Sequence, residues 1–247
     1  MIRSVLAALA LATALQQTTP TGQAGLDRAI DEYLRLRLPP GPCAIAGMAG
    51  RIAQAVGMPV GVEYPPVACA AERTPASNDS EQLELYGLTA REALDRLVAL
   101  DPRFRWIESD GVVVMRPNQA WDDPRHFLHR SIPEFNLAAK GIGNASRAVQ
   151  TVLSGTDRPS AVEIFRTPQG NHEFSIHLGA TSLLEALNAI ARDHGSLRWD
   201  ILYCSTEPRP EYATVSFYTY DGSGIGSRSV FLRDASGRTY DPCAVRK

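Results

Sequence analysis

The sequence predicts an α+β protein of two related modules, each a small sheet covered by helices. Residues 85–106 and 178–199 align without a gap at one constant offset. The triplet Glu-Ala-Leu at 92–94 meets the same triplet at 185–187, and an Arg-Trp pair closes both stretches. A composition of 44% hydrophobic and 21% charged residues is that of a folded globular protein. Together these observations favour a duplicated structural unit, with helix, strand, strand, helix, strand and strand in each copy.

Length and charge limit the classes of protein further. The 247 residues allow one large or two modest domains. A net charge of −2 and a pI near 6.2 provide no basic field for nucleic acid, which is not expected as a partner. The sequence predicts this division: a signal peptide (1–24), an amphipathic helix and Pro-rich linker (25–42), the first module (43–117), a connector (118–142) and the second module with a C-terminal extension (143–247).

The N-terminus has the pattern of a secretory signal peptide. Arg3 precedes an apolar run, and small residues follow as far as Ala24, after which cleavage is expected. A buried N-terminal helix is the alternative. No later apolar run reaches the ~20 residues that span a bilayer. A periplasmic or secreted protein without a membrane span is therefore expected.

Export makes disulfides the expected use of the four cysteines, Cys43, Cys69, Cys204 and Cys243. Four cysteines allow three pairings, and the sequence does not choose among them. We favour Cys43 with Cys69 and Cys204 with Cys243, because this arrangement places one disulfide in each module. The absence of a CxxC spacing gives little support to a redox role.

The first elements are predicted from hydrophobic spacing. Residues 25–38 have apolar side chains at helical intervals, and prolines at 39–42 end this amphipathic helix. Residues 44–56 repeat that spacing up to Gly57, a natural helix stop. Residues 58–64 alternate as a short strand, and the polar, breaker-rich residues 70–80 form a loop anchored by Cys69.

The repeated stretch begins with a strand at 81–86. Thr89 and Glu92 form a capping-box signature for the helix that follows. Asp101 and the next proline stop that helix, whose buried stripe consists of Ala93, Leu94, Leu97, Val98 and Leu100. Residues 104–107 and 112–115 are two strands joined by a Ser-Asp-Gly turn.

The second module follows a connector with few regularly spaced apolar residues. A helix at 145–153 is capped by Asn144 or Ser146, and strands occupy 161–166 and 173–178. Ser182 caps a helix that runs to about Asp193, with Glu185 at the capping-box position. Strands at 197–203 and 213–220 close the module, and a short strand at 230–233 precedes the tail.

The phrase Gly-Leu-Thr-Ala-Arg-Glu-Ala-Leu-Asp at 87–95, with a Val-rich strand ending at Arg116-Pro117, resembles the secretin and TonB short N-terminal domain. The likeness covers residues 44–117, and more loosely 143–220, where residues 205–212 lengthen the final hairpin. It implies small modules of the bacterial envelope that bind proteins and perform no chemistry. Family members usually precede a membrane β-barrel. The residues after the second module are too few for one, so a stand-alone form is expected.

No catalytic, cofactor-binding or metal-binding residue is predicted. His126 and His129, beside Asp122 and Asp123, could bind a metal, but they lack the helical HExxH arrangement. The glycines at 141 and 143 lack the third glycine of a dinucleotide site. No GxSxG elbow is present, although a catalytic triad assembled from distant residues stays open.

The function expected from these observations is that of a non-enzymatic envelope adaptor, linked to secretion or TonB-type transport. Its sheet edges would pair with an extended segment of a partner protein. Trp106 and Trp199 are expected in the core, the alternative being a binding face, and His194 is expected to be exposed at a helix end. A periplasmic hydrolase with a site between the modules is the alternative function. A secreted inhibitor that uses the loop at 70–80 is a third.

Overall fold

The computed structural model describes residues 25–31, 35–38, 42–65, 81–153, 161–165, 173–195, 197–203, 213–219, 232–233 and 239–240. Over these residues the protein is a mixed α+β structure with five α-helices and several sheets. This confirms the predicted fold class at the level of α+β. Within the described residues, no helix is long and apolar enough to cross a membrane.

The first half contains five strands and three α-helices among its described residues. They are β1 (Arg35–Leu38), α1 (Pro42–Ala55), β2 (Val60–Glu63), β3 (Glu81–Glu84), α2 (Ala90–Leu100), β4 (Phe104–Ser109), β5 (Val112–Pro117) and α3 (Asn118–Asp122). A 3₁₀ helix (Phe127–His129) follows α3.

Among its described residues, the second half contains two helices, five longer strands and four strands of two residues. Its elements are β6 (Ser131–Ile132), β7 (Phe135–Lys140), α4 (Ile142–Leu153), β8 (Ala161–Phe165), β9 (Phe174–Leu178), β10 (Thr181–Ser182), α5 (Leu183–His194), β11 (Leu197–Tyr203), β12 (Ala213–Thr219), β13 (Leu232–Arg233) and β14 (Thr239–Tyr240).

The main sheet has six strands in the order β4-β5-β2-β11-β12-β8. The strands β5, β2 and β11 are mutually parallel, and β4 is antiparallel to β5. On the other side of β11, β12 is antiparallel to it and parallel to β8. Strands from both halves of the chain therefore meet in one sheet at β2 and β11. Four two-stranded pairs, β1–β3, β6–β10, β7–β9 and β13–β14, complete the described strands.

Two hydrophobic cores lie on opposite faces of this sheet. On β5, Val113 and Met115 belong to the core that contains α1 and α2, whereas Val112 and Val114 belong to the core that contains α4 and α5. Successive side chains of a strand point to opposite faces, so both faces of β5 are buried. The sheet is thus the middle layer between two pairs of helices.

The helix starts of the repeated stretches match in detail. The side chain of Thr89 accepts a hydrogen bond from the amide of Glu92, whose carboxylate accepts one from the amide of Thr89. Ser182 and Glu185 make the same reciprocal pair at α5. Both predicted capping boxes are therefore confirmed.

The tryptophans that end the repeated stretches also have equivalent partners. The indole of Trp106 donates to the carboxylate of Asp95 at 3.0 Å. The indole of Trp199 donates to the side-chain oxygen of Asn188, which occupies the equivalent position, at 3.1 Å. Trp199 is fully buried and Trp106 is half-buried, as expected for core and half-core residues.

The hairpin between β4 and β5 follows the prediction. Asp110 and Gly111 have φ values of 51° and 83°, so both central residues of the turn are left-handed. This is the type I′ geometry that matches the twist of two-residue hairpins and favours Asp-Gly.

The predicted helix at 145–153 is confirmed, but its predicted cap and the end of the predicted helix at 25–38 are wrong. Residues 35–38 form a strand paired with β3 instead of the end of a helix, because Arg-Leu-Arg-Leu alternates with the strand period. The helix α4 begins at Ile142, so Asn144 and Ser146 lie inside it instead of capping it. The carbonyl of Gly141 accepts the first helical hydrogen bonds.

Three smaller expectations are also wrong. The connector contains α3 and the strand β7, which pairs with β9, where few regular elements were expected. Leu100 is 39% exposed, although it was placed in the buried stripe of α2. His194 is buried, because its ring packs edge-to-face against Phe174.

Several predictions lie outside the described residues. These are the signal peptide with its cleavage near Ala24, the loop at 70–80, and Cys69, Cys204 and Cys243. Only the backbone of Cys43, in α1, is described. The disulfide pairing stays a prediction.

Candidate functional site

A buried network of charged and polar side chains lies at the carboxyl ends of the three parallel strands. Glu63 ends β2, Arg116 is near the end of β5, and Tyr203 ends β11. Because parallel strands end at one edge of a sheet, their last side chains are brought together. All three are buried, with Arg116 and Glu63 at 0% and 1% exposure.

The carboxylate of Glu63 is the centre of this network. It accepts a hydrogen bond from Nε of Arg116 at 2.6 Å on one oxygen. Its other oxygen accepts the hydroxyl of Tyr203 at 2.6 Å and lies 2.9 Å from Nε2 of His126. Three side chains from three separate segments therefore converge on one carboxylate.

Arg116 contacts two imidazoles from the connector. Its terminal nitrogens lie 3.0 Å from Nδ1 of His126 and 3.1 Å from Nε2 of His129. A guanidinium can only donate, so both of these ring nitrogens accept. His126 is therefore neutral with its proton on Nε2, facing Glu63. His129 is neutral with its proton on Nδ1, where the carbonyl of Asp123 lies at 3.0 Å.

The connector folds back so that its histidines reach the sheet. The short helix α3 directly follows β5, and the carbonyl of Ala120 accepts a hydrogen bond from Arg116 at 3.0 Å. The ring of Trp121 stacks on the guanidinium, 4.5 Å from its carbon to the ring centroid. His126 then caps the 3₁₀ helix by accepting from the amide of Leu128. Arg116 thus holds the segment that follows its own strand.

Burial and charge set the ionisation of the network. Burial alone would raise the pKa of Glu63, but the hydrogen bond from His126 and the charge of Arg116 outweigh it, so this pKa is below its usual value. Burial and then the Glu63 carboxylate raise the pKa of Tyr203 well above its usual value. Burial and then the charge of Arg116 lower the pKa of His129. These shifts favour the ionised form of Glu63 and the neutral forms of His129 and Tyr203.

A second ionic cluster lies on the opposite face of the same sheet. Arg198 of β11 forms a two-pronged ion pair with Asp200, one contact being 2.7 Å, and donates to the hydroxyl of Tyr64 at 2.9 Å. Although burial lowers it, the charge of Asp200 raises the pKa of Arg198 overall. A Cβ on Gly50 of α1 would lie 2.0 Å from the guanidinium, so a larger residue there would have to displace the side chain of Arg198.

The connector residues weighed as metal ligands have other partners. His126 and His129 do come together, but on Arg116. Asp122 pairs with Arg105 at 2.7 Å, and Asp123 accepts from the amide of Arg125. Within the described residues, no group of three or more His, Cys, Asp or Glu side chains could hold a metal ion.

Glu63, Arg116 and Tyr203 were not singled out from the sequence. One signal pointed to two of them: a charged residue ends each of the apolar runs Val-Gly-Val-Glu and Val-Val-Val-Met-Arg. A charge in an otherwise buried strand needs a partner of opposite sign. That signal identifies the need for a partner, but not the parallel pairing of β2 and β5 that provides it.

An open sheet edge is the second candidate site. The strand β4 is at one end of the main sheet, and its outer side pairs with no other described strand. The start of α3 contacts the first part of β4. The amide of Asn118 donates to the carbonyl of Arg103 at 2.8 Å, on the side that faces β5, and the indole of Trp121 donates to that of Arg105 at 3.4 Å. Beyond Arg105 the edge bears Ile107, which is 37% exposed. An unpaired strand edge is a template for an added strand.

Comparison with known proteins finds no relative for this chain. No family model, no curated protein and no solved structure matches it.

Proposed function

We propose that the protein is a non-enzymatic adaptor of the cell envelope that binds an extended segment of a partner protein along the free edge of β4. The single observation that carries this proposal is that open edge at the end of the main sheet. Main-chain hydrogen bonds along such an edge provide affinity, and pockets for alternate side chains provide specificity.

The site on β4 is a stretch of one strand bounded at both ends. Residues 106–109 lie between the part of β4 that α3 contacts and the turn at Asp110 and Gly111. Within this stretch Ile107 presents an apolar side chain, and Trp106 is half-buried against α2. An added strand would bury the exposed part of Ile107 and satisfy the outward-facing backbone groups.

The adaptor is built, in this proposal, from two related modules, residues 43–117 and 143–247. The equal capping boxes of α2 and α5 support this, as does the equal pairing of Trp106 and Trp199 with the helix before each. The strand orders β4-β5-β2 and β11-β12-β8 also correspond, element for element. The resemblance of residues 44–117 to the secretin and TonB short N-terminal domain supports a periplasmic location and a role beside secretion or transport.

A retention experiment with envelope extract tests the adaptor proposal. The immobilised proteins are the wild type, Ile107→Lys and Thr151→Lys; the third is a matched control, because Thr151 is exposed on α4. A lysine on a strand edge opposes strand addition. We expect one envelope protein to be retained by the wild type and the control, and lost with Ile107→Lys. Equal retention by all three, or by none, would overturn the proposal.

A periplasmic hydrolase is the second candidate function. The observation that favours it is the convergence of a carboxylate, an imidazole and a hydroxyl at the carboxyl ends of strands from both halves. Carboxylates and hydroxyls with shifted pKa values, as at Glu63 and Tyr203, are typical of catalytic sites. Against it stands their burial, because Glu63 and His126 have side-chain exposures of 1%.

The hydrolase alternative has its own test. Turnover of a panel of ester, amide and glycoside substrates would support it only if Tyr203→Phe, which removes the hydroxyl, abolishes that turnover. The matched control is Tyr86→Phe, because Tyr86 is 64% exposed and lies away from the network. Turnover that survives in Tyr203→Phe would come from another source.

A further inference from the structure

The two histidines of the connector are held by hydrogen bonds that only their neutral forms can make. Nδ1 of His126 accepts from both Arg116 and the amide of Leu128. Nε2 of His129 accepts from Arg116. A proton added to either nitrogen would remove the acceptor and place an imidazolium against a buried guanidinium.

The groups around these imidazoles come from every element packed against them. The strand β2 contributes the carboxylate of Glu63, β5 the guanidinium of Arg116, and β11 the hydroxyl of Tyr203. The connector adds the carbonyl of Asp123. The single carboxylate in this set is already engaged by Arg116, so no second negative charge offsets a new imidazolium.

The helix α5, which packs on the 3₁₀ helix, adds no charge that would change this balance. The carboxylate of Glu185 is occupied in the capping box of α5. Arg192 pairs with Asp193 and lies 3.7 Å from Asp110. These charged side chains of α5 are therefore already paired, and His194, the remaining titratable side chain of this helix, packs against Phe174.

We propose that residues 118–130 form an acid-sensitive latch: protonation of His129 detaches this segment from the carboxyl ends of β5, β2 and β11. The latch comprises α3 and the 3₁₀ helix. Its attachment depends on Arg116, which contacts the carbonyl of Ala120, the ring of Trp121 and both imidazoles. Release exposes Glu63 and uncovers the apolar side chains of Phe127 and Leu128, which belong to the core.

The direction of the effect follows from proton linkage. The pKa of His129 is lowered from its usual 6.5 by burial and by Arg116, so the open form binds the proton more readily than the closed form. Closure is favoured above pH 6.5 and weakens as the pH falls below it. Protonation of Glu63 affects closure only in a lower pH range, since the pKa of its carboxyl group is below its usual 4.5. The two effects are therefore separated on the pH axis.

Hydrogen exchange of the full-length protein tests the latch. Exchange rates, corrected for the intrinsic effect of pH, are compared between about pH 7.5 and about pH 5. The opening equilibrium of the amides at 118–130 is expected to rise about tenfold per pH unit for each proton taken up. The amides of α5 are expected to stay protected over the same range.

Matched variants identify the groups responsible. In His126→Gln/His129→Gln the amide oxygens still accept from Arg116 but do not titrate, so the latch is expected to stay closed at about pH 5. His177→Gln is the control, because His177 is exposed on β9, and it is expected to open like the wild type.

Two results of these experiments would overturn the proposal. Residues 118–130 that exchange no faster at about pH 5 than at about pH 7.5 would overturn the proposal, as would acid opening that persists in the double glutamine variant. If that variant does not fold, imidazole NMR of the wild type decides. A neutral His129 with its proton on Nδ1, titrating together with the opening of 118–130, supports the latch. Titration without opening refutes it.

Discussion

At the scale of the residue, the Glu63 carboxylate is the group on which the buried network depends. Replacing it in Glu63→Gln leaves the guanidinium of Arg116 without a counter-charge at 0% exposure. Removing one partner of a buried ion pair costs about 3 kcal/mol or more in the free energy of unfolding. Urea denaturation measures this loss.

The control for that measurement is Glu108→Gln. Glu108 is exposed on β4, and its side chain accepts from the amide of Gly111, which a glutamine oxygen can also do. A surface change of this kind is expected to shift the free energy of unfolding by no more than about 0.5 kcal/mol. Equal losses in the two variants would show that the buried pair contributes nothing particular.

The stabilisation by Glu63 also has a predicted pH dependence. Because its folded pKa is below the usual 4.5, its contribution is fully present above pH 4.5 and is lost as the pH falls through the folded value. The difference in the free energy of unfolding between the wild type and Glu63→Gln should therefore be constant near neutral pH and shrink in acid. A difference that stays unchanged under acid conditions would contradict the ionised state of Glu63.

The roles of residues whose partners are close along the chain could be predicted from the sequence. Thr89 with Glu92 and Ser182 with Glu185 are three positions apart, so local spacing identifies them as capping boxes. The partners of Glu63 come instead from β5, β11 and the connector, 53 and 140 positions away for Arg116 and Tyr203. Local spacing carries no information about contacts of that kind.

At the scale of the element, the contact between β2 and β11 depends on a glycine. The ring of Trp199 lies over Gly61, and a Cβ there would be 2.0 Å from the ring. Gly61→Ala must therefore displace a fully buried tryptophan. Overpacking of this kind costs about 1–3 kcal/mol in the free energy of unfolding.

Gly179→Ala is the matched control for Gly61→Ala. A Cβ on Gly179 meets no atom within 4 Å, and this position has no positive φ. It is expected to leave stability unchanged or to raise it by roughly 0.4–1 kcal/mol through the unfolded state. Thermal unfolding of both variants makes the comparison, and a tolerated Gly61→Ala would show that Trp199 is not tightly packed on β2.

Elements in which apolar residues recur with a clear period were predicted well, whereas short elements were not. The helices α1, α2 and α5 and the hairpin β4–β5 lie close to their predicted positions. The strands β1 and β7 were missed, because four to six residues can fit two periods, or none, until a partner strand is present. Pairing with β3 and with β9 decides their structure.

At the scale of the whole molecule, the two halves of the chain share one sheet. The sequence predicted separate small sheets, yet β2 pairs with β11 in parallel, and α5 covers the face of the sheet opposite α1. Each half provides an apolar strand that would otherwise be an exposed edge. The hydrophobic pattern shows that β2 and β11 are buried, but it does not show which strand pairs with which.

The main sheet ends in β4 on one side and in β8 on the other, and the proposed function places the partner strand on the outer edge of β4. The most direct measurement is photo-crosslinking in envelope extract, with a photoreactive amino acid at position 107 or, as a control, at position 134. Both Ile107 and Glu134 are exposed. We expect a discrete crosslinked product for position 107 and none for position 134. No product at 107, or the same product at both positions, would contradict the proposed function.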